Sequence, residues 1–300
     1  MNAVLDWGIM IVLWLQQFSP ALDWPFTLLS WLGEETSFML LIPFIWWCVD
    51  KRKGAYLAVL CMVSFYINAL GKALASQPRP FTYDSRVKQL YDATGGGFPS
   101  GHTQSTVTTW GYLMAAFKKR WITWLGIALM VLIPLSRLYL GVHFPTDLLG
   151  AYVIGAVVLA LTLWLGPRVE PWFKGLSLPW QVGLPLAVGI ILALVFPAGP
   201  EDGITPPATL AGLGMGLAME EAFVAFQPAA SWKRRLLAFA LGTLVMIGLR
   251  FGLKALFEPL GMEGVLRFVR YTLMGLWGGL GAPWVFVKLG LAQPGKTLKH

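Results

Sequence analysis

Read for hydrophobicity alone, the chain is a series of long apolar runs joined by short polar stretches. Each run predicts a helix, because lipid offers an open backbone no hydrogen-bond partner. The first run, residues 4–18, carries Asp6, Gln16 and Gln17 and is short enough either to cross a bilayer or to lie in its interface. Residues 20–33 are amphipathic and read as interfacial. Firmer spans follow at 35–50, 54–75, 102–117, 121–139, 147–166, 180–197, 206–227, 236–256 and 271–289. The pattern predicts an all-α fold, a polytopic membrane helical bundle.

The polar joints orient the bundle. If the spans alternate, Lys51 to Lys53, Lys118 to Arg120, Arg168 with Lys174, Lys233 to Arg235 and the tail lysines Lys296 and Lys299 all fall on one side. The other side holds Glu34, Glu35, the loop 76–100, the stretch around His143, residues 199–203 and a turn at 258–270. Basic clusters in short loops stay cytoplasmic, so the second set faces periplasm, exterior or lumen. The expected place is a bacterial inner or cell membrane. The stretch 166–181 reads as a cytoplasmic joint before a C-terminal extension.

Composition supports a membrane protein. Hydrophobic residues make up 56% and charged residues 13%, against about 25% charged in a soluble domain. The mean hydropathy is +0.64. The net charge of +8 comes from short clusters between apolar runs, so nucleic acid is not an expected partner; the bilayer is. The N-terminus has no basic region of the kind that opens a secretory signal peptide. Cys48 and Cys61 both lie in apolar runs and predict small core residues, not a disulfide or a zinc site.

Candidate chemistry stands at helix ends on the outward side. Lys72 ends one span and is followed by Arg79-Pro80; Pro99-Ser100-Gly101-His102 opens the next; Ser136-Arg137 ends a third; His143 and Asp147 open a fourth. Alternating spans bring these ends to one side. A helix N-terminus binds anions through its free N–H groups. Three cations around it make a phosphate site, with Arg79 and Arg137 able to grip oxygens bidentately. His143 and Asp147, four apart, share a face of a helical turn. There the carboxylate can hold one ring nitrogen protonated and leave the other free to attack. His102 would be the acid that protonates the leaving oxygen.

The spaced motifs KxxxxxxRP, PSGH and SRxxxxxHxxxD, in this order, resemble the three signatures of the type-2 phosphatidic acid phosphatase superfamily. That superfamily includes lipid phosphate phosphatases, glucose-6-phosphatase-like enzymes, bacterial acid phosphatases and vanadium haloperoxidases. The resemblance covers roughly residues 35 to 166. It implies a six-helix-type phosphatase core at 35–166, with interfacial helices at 1–34 and about four further transmembrane helices at 167–300. It further implies that Lys72, Arg79 and Arg137 bind phosphoryl oxygens, with hydrogen bonds from Ser100 and the Gly101 N–H. His102 would protonate the leaving group, His143 would become a phosphohistidine and Asp147 would orient it. No metal and no cofactor are implied, since arginine and lysine can neutralise a phosphoryl centre.

A phosphorylated membrane lipid fits a site at headgroup depth. Candidates are undecaprenyl diphosphate, phosphatidate or phosphatidylglycerol phosphate, and sphingoid-base phosphates. The alternatives are a lipid transporter or scramblase that binds phosphate without cleaving it, and a vanadate-dependent haloperoxidase. The loop 76–98 is either the headgroup selector or a solvated loop. The glycines 95–97 either let it fold over the headgroup or make a tight turn. In the extension, the pattern faintly resembles sphingosine-1-phosphate-phosphatase-like members. There Arg250 and Lys254, near Arg267 and Arg270, could meet an anionic headgroup. The simpler expectation is snorkelling, with Lys254 paired to Glu258 at i, i+4. Phosphate release from lipid mono- and diphosphates is expected to persist in EDTA; loss in EDTA, restored by Mg²⁺, would overturn the metal-free mechanism.

Overall fold

The structure, a computed structural model, describes residues 3–197 and 200–295. It is helical almost throughout: α1 (Ala3–Gln16), α2 (Asp23–Trp31), α3 (Glu35–Pro43) continued by a π segment Phe44–Val49, α4 (Lys51–Ala75) and the short α5 (Pro80–Tyr83). Then come α6 (Gly101–Phe117), α7 (Arg120–Tyr139), α8 (Pro145–Lys174), α9 (Leu178–Leu194) and α10 (Pro200–Phe223). The chain closes with β1 (Phe226–Pro228), α11 (Trp232–Phe257), α12 (Glu263–Leu276), a π segment Trp277–Gly281, α13 (Ala282–Lys288) and β2 (Ala292–Pro294). Lys296, Lys299 and Gly199 lie outside the described residues.

Among the described residues, four helical stretches are long and apolar enough to cross a membrane: Lys51–Tyr83, Arg120–Tyr139, Pro145–Lys174 and Trp232–Leu260. The bent pair α2 and α3 with its π segment, at 47°, would make a fifth. The chain is thus a multi-pass membrane bundle. α6 falls below that hydropathy because it is packed inside: Thr103, Ser105, Thr106, Thr108 and Thr109 are all buried. Thr106 and Thr108 return their hydroxyls to carbonyls one turn back, so these two buried threonines are satisfied within the helix.

By internal contacts the chain divides into two units: residues up to Phe38 with Ile67–Leu163, and Met39–Tyr66 with residues from Trp164 onward. In the first, α1 packs against the loop 76–100 and the link between α7 and α8. Ile9 and Val12 pack with Val87 and Phe144, and Leu15 packs with Tyr139, Leu140 and Val142. Its polar residues act as pins. Gln16 donates to Lys88 O at 2.7 Å and accepts from Lys88 N at 2.9 Å, and Asp6 accepts from the Tyr83 hydroxyl at 2.9 Å. The loop 76–100 is therefore tied down, with Val87 buried beneath it.

In the second unit, α10 and α12 meet along glycines. A Cβ on Gly212 would come within 2.0 Å of Thr272 O, and one on Gly275 within 2.4 Å of Thr209 O. Gly216 and Gly279 continue the seam. Small residues four apart let backbones approach where lipid gives no hydrophobic drive. At one end, the antiparallel ribbon β1–β2 closes over buried Glu220. Glu220 pairs with Lys51 at 2.6 Å and accepts from Phe226 N at 2.6 Å. Cys48 and Cys61 are buried, and no disulfide joins them.

Three joints differ from expectation. α8 continues through Pro167 and Pro171 to Lys174, because Glu170 is clamped by Arg52 at 2.7 Å, Tyr56 at 2.5 Å and Lys174 at 3.2 Å. Most of 258–270 is helix, since α12 starts at Glu263; only Glu258–Leu260 and the left-handed Gly261 turn. Pro200 to Gly203 open α10 instead of forming a loop. Gly212→Val is expected to destabilise the protein by about 1–3 kcal/mol or more through overpacking. The readout is a lowered melting temperature in detergent. Gly248→Val, whose added Cβ meets nothing within 4 Å, should leave it in place.

Candidate active site

All eight residues singled out in the sequence fall in the first unit. His143 stands in the tight link between α7 and α8, 2% exposed, and Asp147 in the first turn of α8 is fully buried. His143 Nδ1 lies 3.2 Å from Asp147 Oδ2. A carboxylate that accepts fixes the tautomer: Nδ1 carries the proton and Nε2 keeps its lone pair. Burial first, then the charges of Arg137, Arg79 and Lys72, hold the His143 imidazole well below its ordinary pKa of 6.5. It is neutral at physiological pH, the form a nucleophile needs.

Asp147 is itself fixed from three directions. Its Oδ2 accepts from Phe144 N at 2.8 Å, which caps α8, and its Oδ1 accepts from Gln77 Nε2 at 2.6 Å. Its main-chain oxygen accepts from Ser100 N at 3.2 Å and so joins the start of α8 to the start of α6.

Ser100 is the N-cap of α6 and is buried. Its oxygen accepts from Thr103 N at 3.5 Å and Thr103 Oγ1 at 3.1 Å, which leaves its own O–H to donate. A Cβ on Gly101 would lie 3.2 Å from Asn68 Oδ1 and 4.0 Å from Lys72 Nζ, so the lysine and the helix start share one space. Asn68, one turn before Lys72, also donates to Pro99 O at 3.3 Å and Gln104 Oε1 at 3.0 Å.

The two arginines differ. Arg79 donates to Gly95 O at 3.0 Å, Thr94 O at 2.6 Å and Val142 O at 2.9 Å. It is a strut between the loop and the residue before His143, with two N–H groups left for an oxygen ligand. Arg137 is 2% exposed. It donates to the Ser30 hydroxyl and stacks its guanidinium 4.6 Å from the Tyr91 ring centre, while its Nε is buried with no partner among the described residues. His102 meets Tyr91 edge-on at 6.5 Å, and its Nε2 is likewise buried and unpartnered. A donor and an imidazole nitrogen buried without partners inside a cation cluster are what an anionic oxygen would satisfy.

The glycines before the motif are explained by close approach. Gly95 has φ +69, open to glycine at little cost, and offers its carbonyl to Arg79. Gly97 N donates to Gln77 O at 2.8 Å, and a Cβ there would come within 3.0 Å of Pro78 O and 3.2 Å of Asp147 Oδ2. The stretch is a tight turn around the carboxylate.

Sequence reasoning passed over several residues. Gln77 lies inside the quoted first motif, and Asn68 is a polar residue in an apolar span one turn before Lys72. Both signals were present. Ser30 and Gly33 had no local signal, while Glu34 and the loop that holds Tyr91 were placed on the outward side without a role against His102 or Arg137. Gly33 packs so closely that a Cβ would meet His102 at 3.0 Å, and Glu34 accepts from the Tyr91 hydroxyl. The corner between α2 and α3 thus covers His102 and Arg137.

The chain is similar to known proteins over its central and C-terminal parts. Residues 53–170 match the family model described as the PAP2 superfamily, and residues 204–294 match the model described as a PAP2 superfamily phosphatase transmembrane extension. Together the matches take in well over half of the chain. Mouse sphingosine-1-phosphate phosphatase 2 is 32% identical over 44% of this chain and 39% of its own length. The undecaprenyl-diphosphatase of Sulfolobus acidocaldarius is 27% identical over 41% of this chain and 63% of its own. The chain therefore spans well under two thirds of the first of these and slightly under two thirds of the second. The crystal structure of Aquifex aeolicus LpxE, 27% identical, matches 54% of this chain and 96% of that one with a TM-score of 0.48.

Gln77→Ala is expected to lower kcat by about ten- to a hundredfold with little change in KM, since a misplaced catalytic group alone can cost about a hundredfold. Steady-state kinetics on a lipid phosphate checks it.

Proposed function

We propose that this chain, which belongs to the PAP2 superfamily, is an integral membrane lipid phosphate phosphatase that works through a phosphohistidine at His143. The observation that carries the reading is the buried His143–Asp147 pair, with a neutral imidazole oriented by the carboxylate and set among cations. Binding alone needs no oriented nucleophile, so the pair argues for cleavage over transport.

In this reading the phosphoryl group enters between Lys72, Arg137 and the free N–H groups of Arg79. The N-terminus of α6 and the Ser100 hydroxyl add donors. His143 Nε2 attacks phosphorus, the phosphorus–oxygen bond to the lipid breaks, and the leaving oxygen takes a proton from His102. The anion's own charge favours the protonated form of His102. A water then attacks the phosphohistidine and gives its proton to His102. Inorganic phosphate leaves and both histidines return to their starting states. The cations stabilise the charge that develops on the phosphoryl oxygens.

The substrate class rests on the membrane setting and on what the relatives are named for. Lipid mono- and diphosphates, including polyprenyl diphosphates, phosphatidate or phosphatidylglycerol phosphate, and sphingoid-base phosphates, are the panel to assay. The basic joints favour the periplasmic or exterior face for the site. The phosphatase core is the segment 35–166, roofed by the corner at 30–34.

His143→Ala is expected to lower phosphate release from the panel by at least about a thousandfold, as loss of a covalent nucleophile does. Its melting temperature and gel-filtration profile should stay close to wild type. Hydrolysis at the wild-type rate by this variant would sink the mechanism.

A further inference from the structure

Arg137 is buried without a counter-ion. It is 2% exposed, and among the described residues it makes no ion pair. A buried charge left unpaired is costly. Two side chains meet it instead. The Ser30 hydroxyl accepts from its Nη1. Its guanidinium carbon lies 4.6 Å from the centre of the Tyr91 ring, inside the range of about 6 Å for a cation–π contact.

A third residue stands behind the second. The Tyr91 hydroxyl donates to Glu34 Oε1, and the charge of Glu34 acts on Arg137. The order Glu34, Tyr91, Arg137 has a chemical consequence. A carboxylate in direct contact would take the N–H groups that a phosphoryl oxygen needs. An aromatic face attracts the cation by stacking and leaves the in-plane N–H groups free. Arg137 Nε is indeed buried with no partner. The stack thus fixes the plane of the guanidinium while an edge of it stays open.

Tyr91 is well held for such a task. Leu90 N donates to Leu140 O at 3.2 Å, which ties the loop to the turn just after Arg137. Leu90 and Tyr91 pack against the cluster of Leu15, Tyr139, Leu140 and Val142. The ring also lies beside the second histidine: its centre is 6.5 Å from that of His102, at 85°. Gly33, next to Glu34, approaches the same imidazole, since a Cβ there would come within 3.0 Å of His102 Cδ2. Replacing Tyr91 by an aliphatic residue would therefore leave a buried guanidinium with the Ser30 hydroxyl as its one remaining contact.

We propose that Tyr91 is a positioning residue for phosphate binding: anchored by Glu34 through its hydroxyl, its ring holds Arg137 so that the open edge of the guanidinium meets the phosphoryl oxygens. This rests on the reading that Arg137 binds the phosphoryl group, and the test separates the two. Orthovanadate, a phosphate mimic, is titrated onto the full-length protein in detergent and its Kd read by calorimetry. Arg137→Gln should weaken binding at least about tenfold, as loss of charged hydrogen bonds does. Tyr91→Leu should weaken it about tenfold, the scale of a desolvated cation–π contact. Tyr91→Phe keeps the ring, loses the bond to Glu34 and should stay within about threefold of wild type. In the Arg137→Gln background, Tyr91→Leu should add less than about twofold, because residues that act through one another are not additive. Full vanadate affinity in Tyr91→Leu, a phenylalanine variant no better than the leucine one, or an equal further loss in the Arg137→Gln background would overturn the positioning role. Wild-type vanadate affinity in Arg137→Gln would instead remove Arg137 from the phosphate site and take the role of Tyr91 with it.

Discussion

One carboxylate organises the catalytic half of this molecule. Asp147 closes the first turn of α8 through Phe144 N, holds the protonated nitrogen of His143 and is held in turn by Gln77. Its main-chain oxygen receives the amide of Ser100, so the helix that opens with the PSGH motif starts from the same residue. The loops that end α4, open α6 and join α7 to α8 all meet there. Gly97 lacks a side chain because that carboxylate passes 3.2 Å from where a Cβ would be. Buried polar groups are tolerated only when satisfied, and Asp147 meets that condition by tying three segments together.

Around this carboxylate the charges are out of balance. Lys72, Arg79 and Arg137 act together on His143, while Asp147 is already engaged and Glu34 acts on Arg137 from the rim. Burial first, and then this imbalance, keep His143 neutral, and the space between the cations is suited to an anion. Two features temper it. Arg79 spends three of its N–H groups on carbonyls, and Arg137 is covered by the Tyr91 ring. The site is therefore stiff around Arg79 and covered over Arg137.

The motifs were legible in the sequence because each is local: Lys72 to Arg79, Ser100 to His102 and Arg137 to Asp147 are short spacings at the ends of apolar runs. The order of the helices was legible for the same reason, since a lipid solvent leaves so few backbone options. What was hidden depends on distance along the chain. Tyr91 on Arg137, Glu34 on Tyr91, and Gln16 on Lys88 join residues tens of positions apart. Proline misled at α8, where the clamp on Glu170 outweighs the breaks at 167 and 171. The turn expected before Arg270 is mostly helix, because α12 buries its glycine face against α10.

Three helices, α3, α4 and α8, pass from one compact unit into the other. All are continuous through the crossing, and the extra turns of α8 carry Glu170, the carboxylate that Arg52 and Tyr56 grip. A gene cut after residue 166 would thus remove the anion and leave its two partners facing lipid or water. The same cut would sever α8 inside a helix and not at a linker. Although the family match ends at residue 170, a minimal catalytic fragment cannot be obtained by trimming at the first proline. Exchanging extensions between relatives would have to carry the Arg52, Tyr56 and Glu170 trio across as one unit of inheritance.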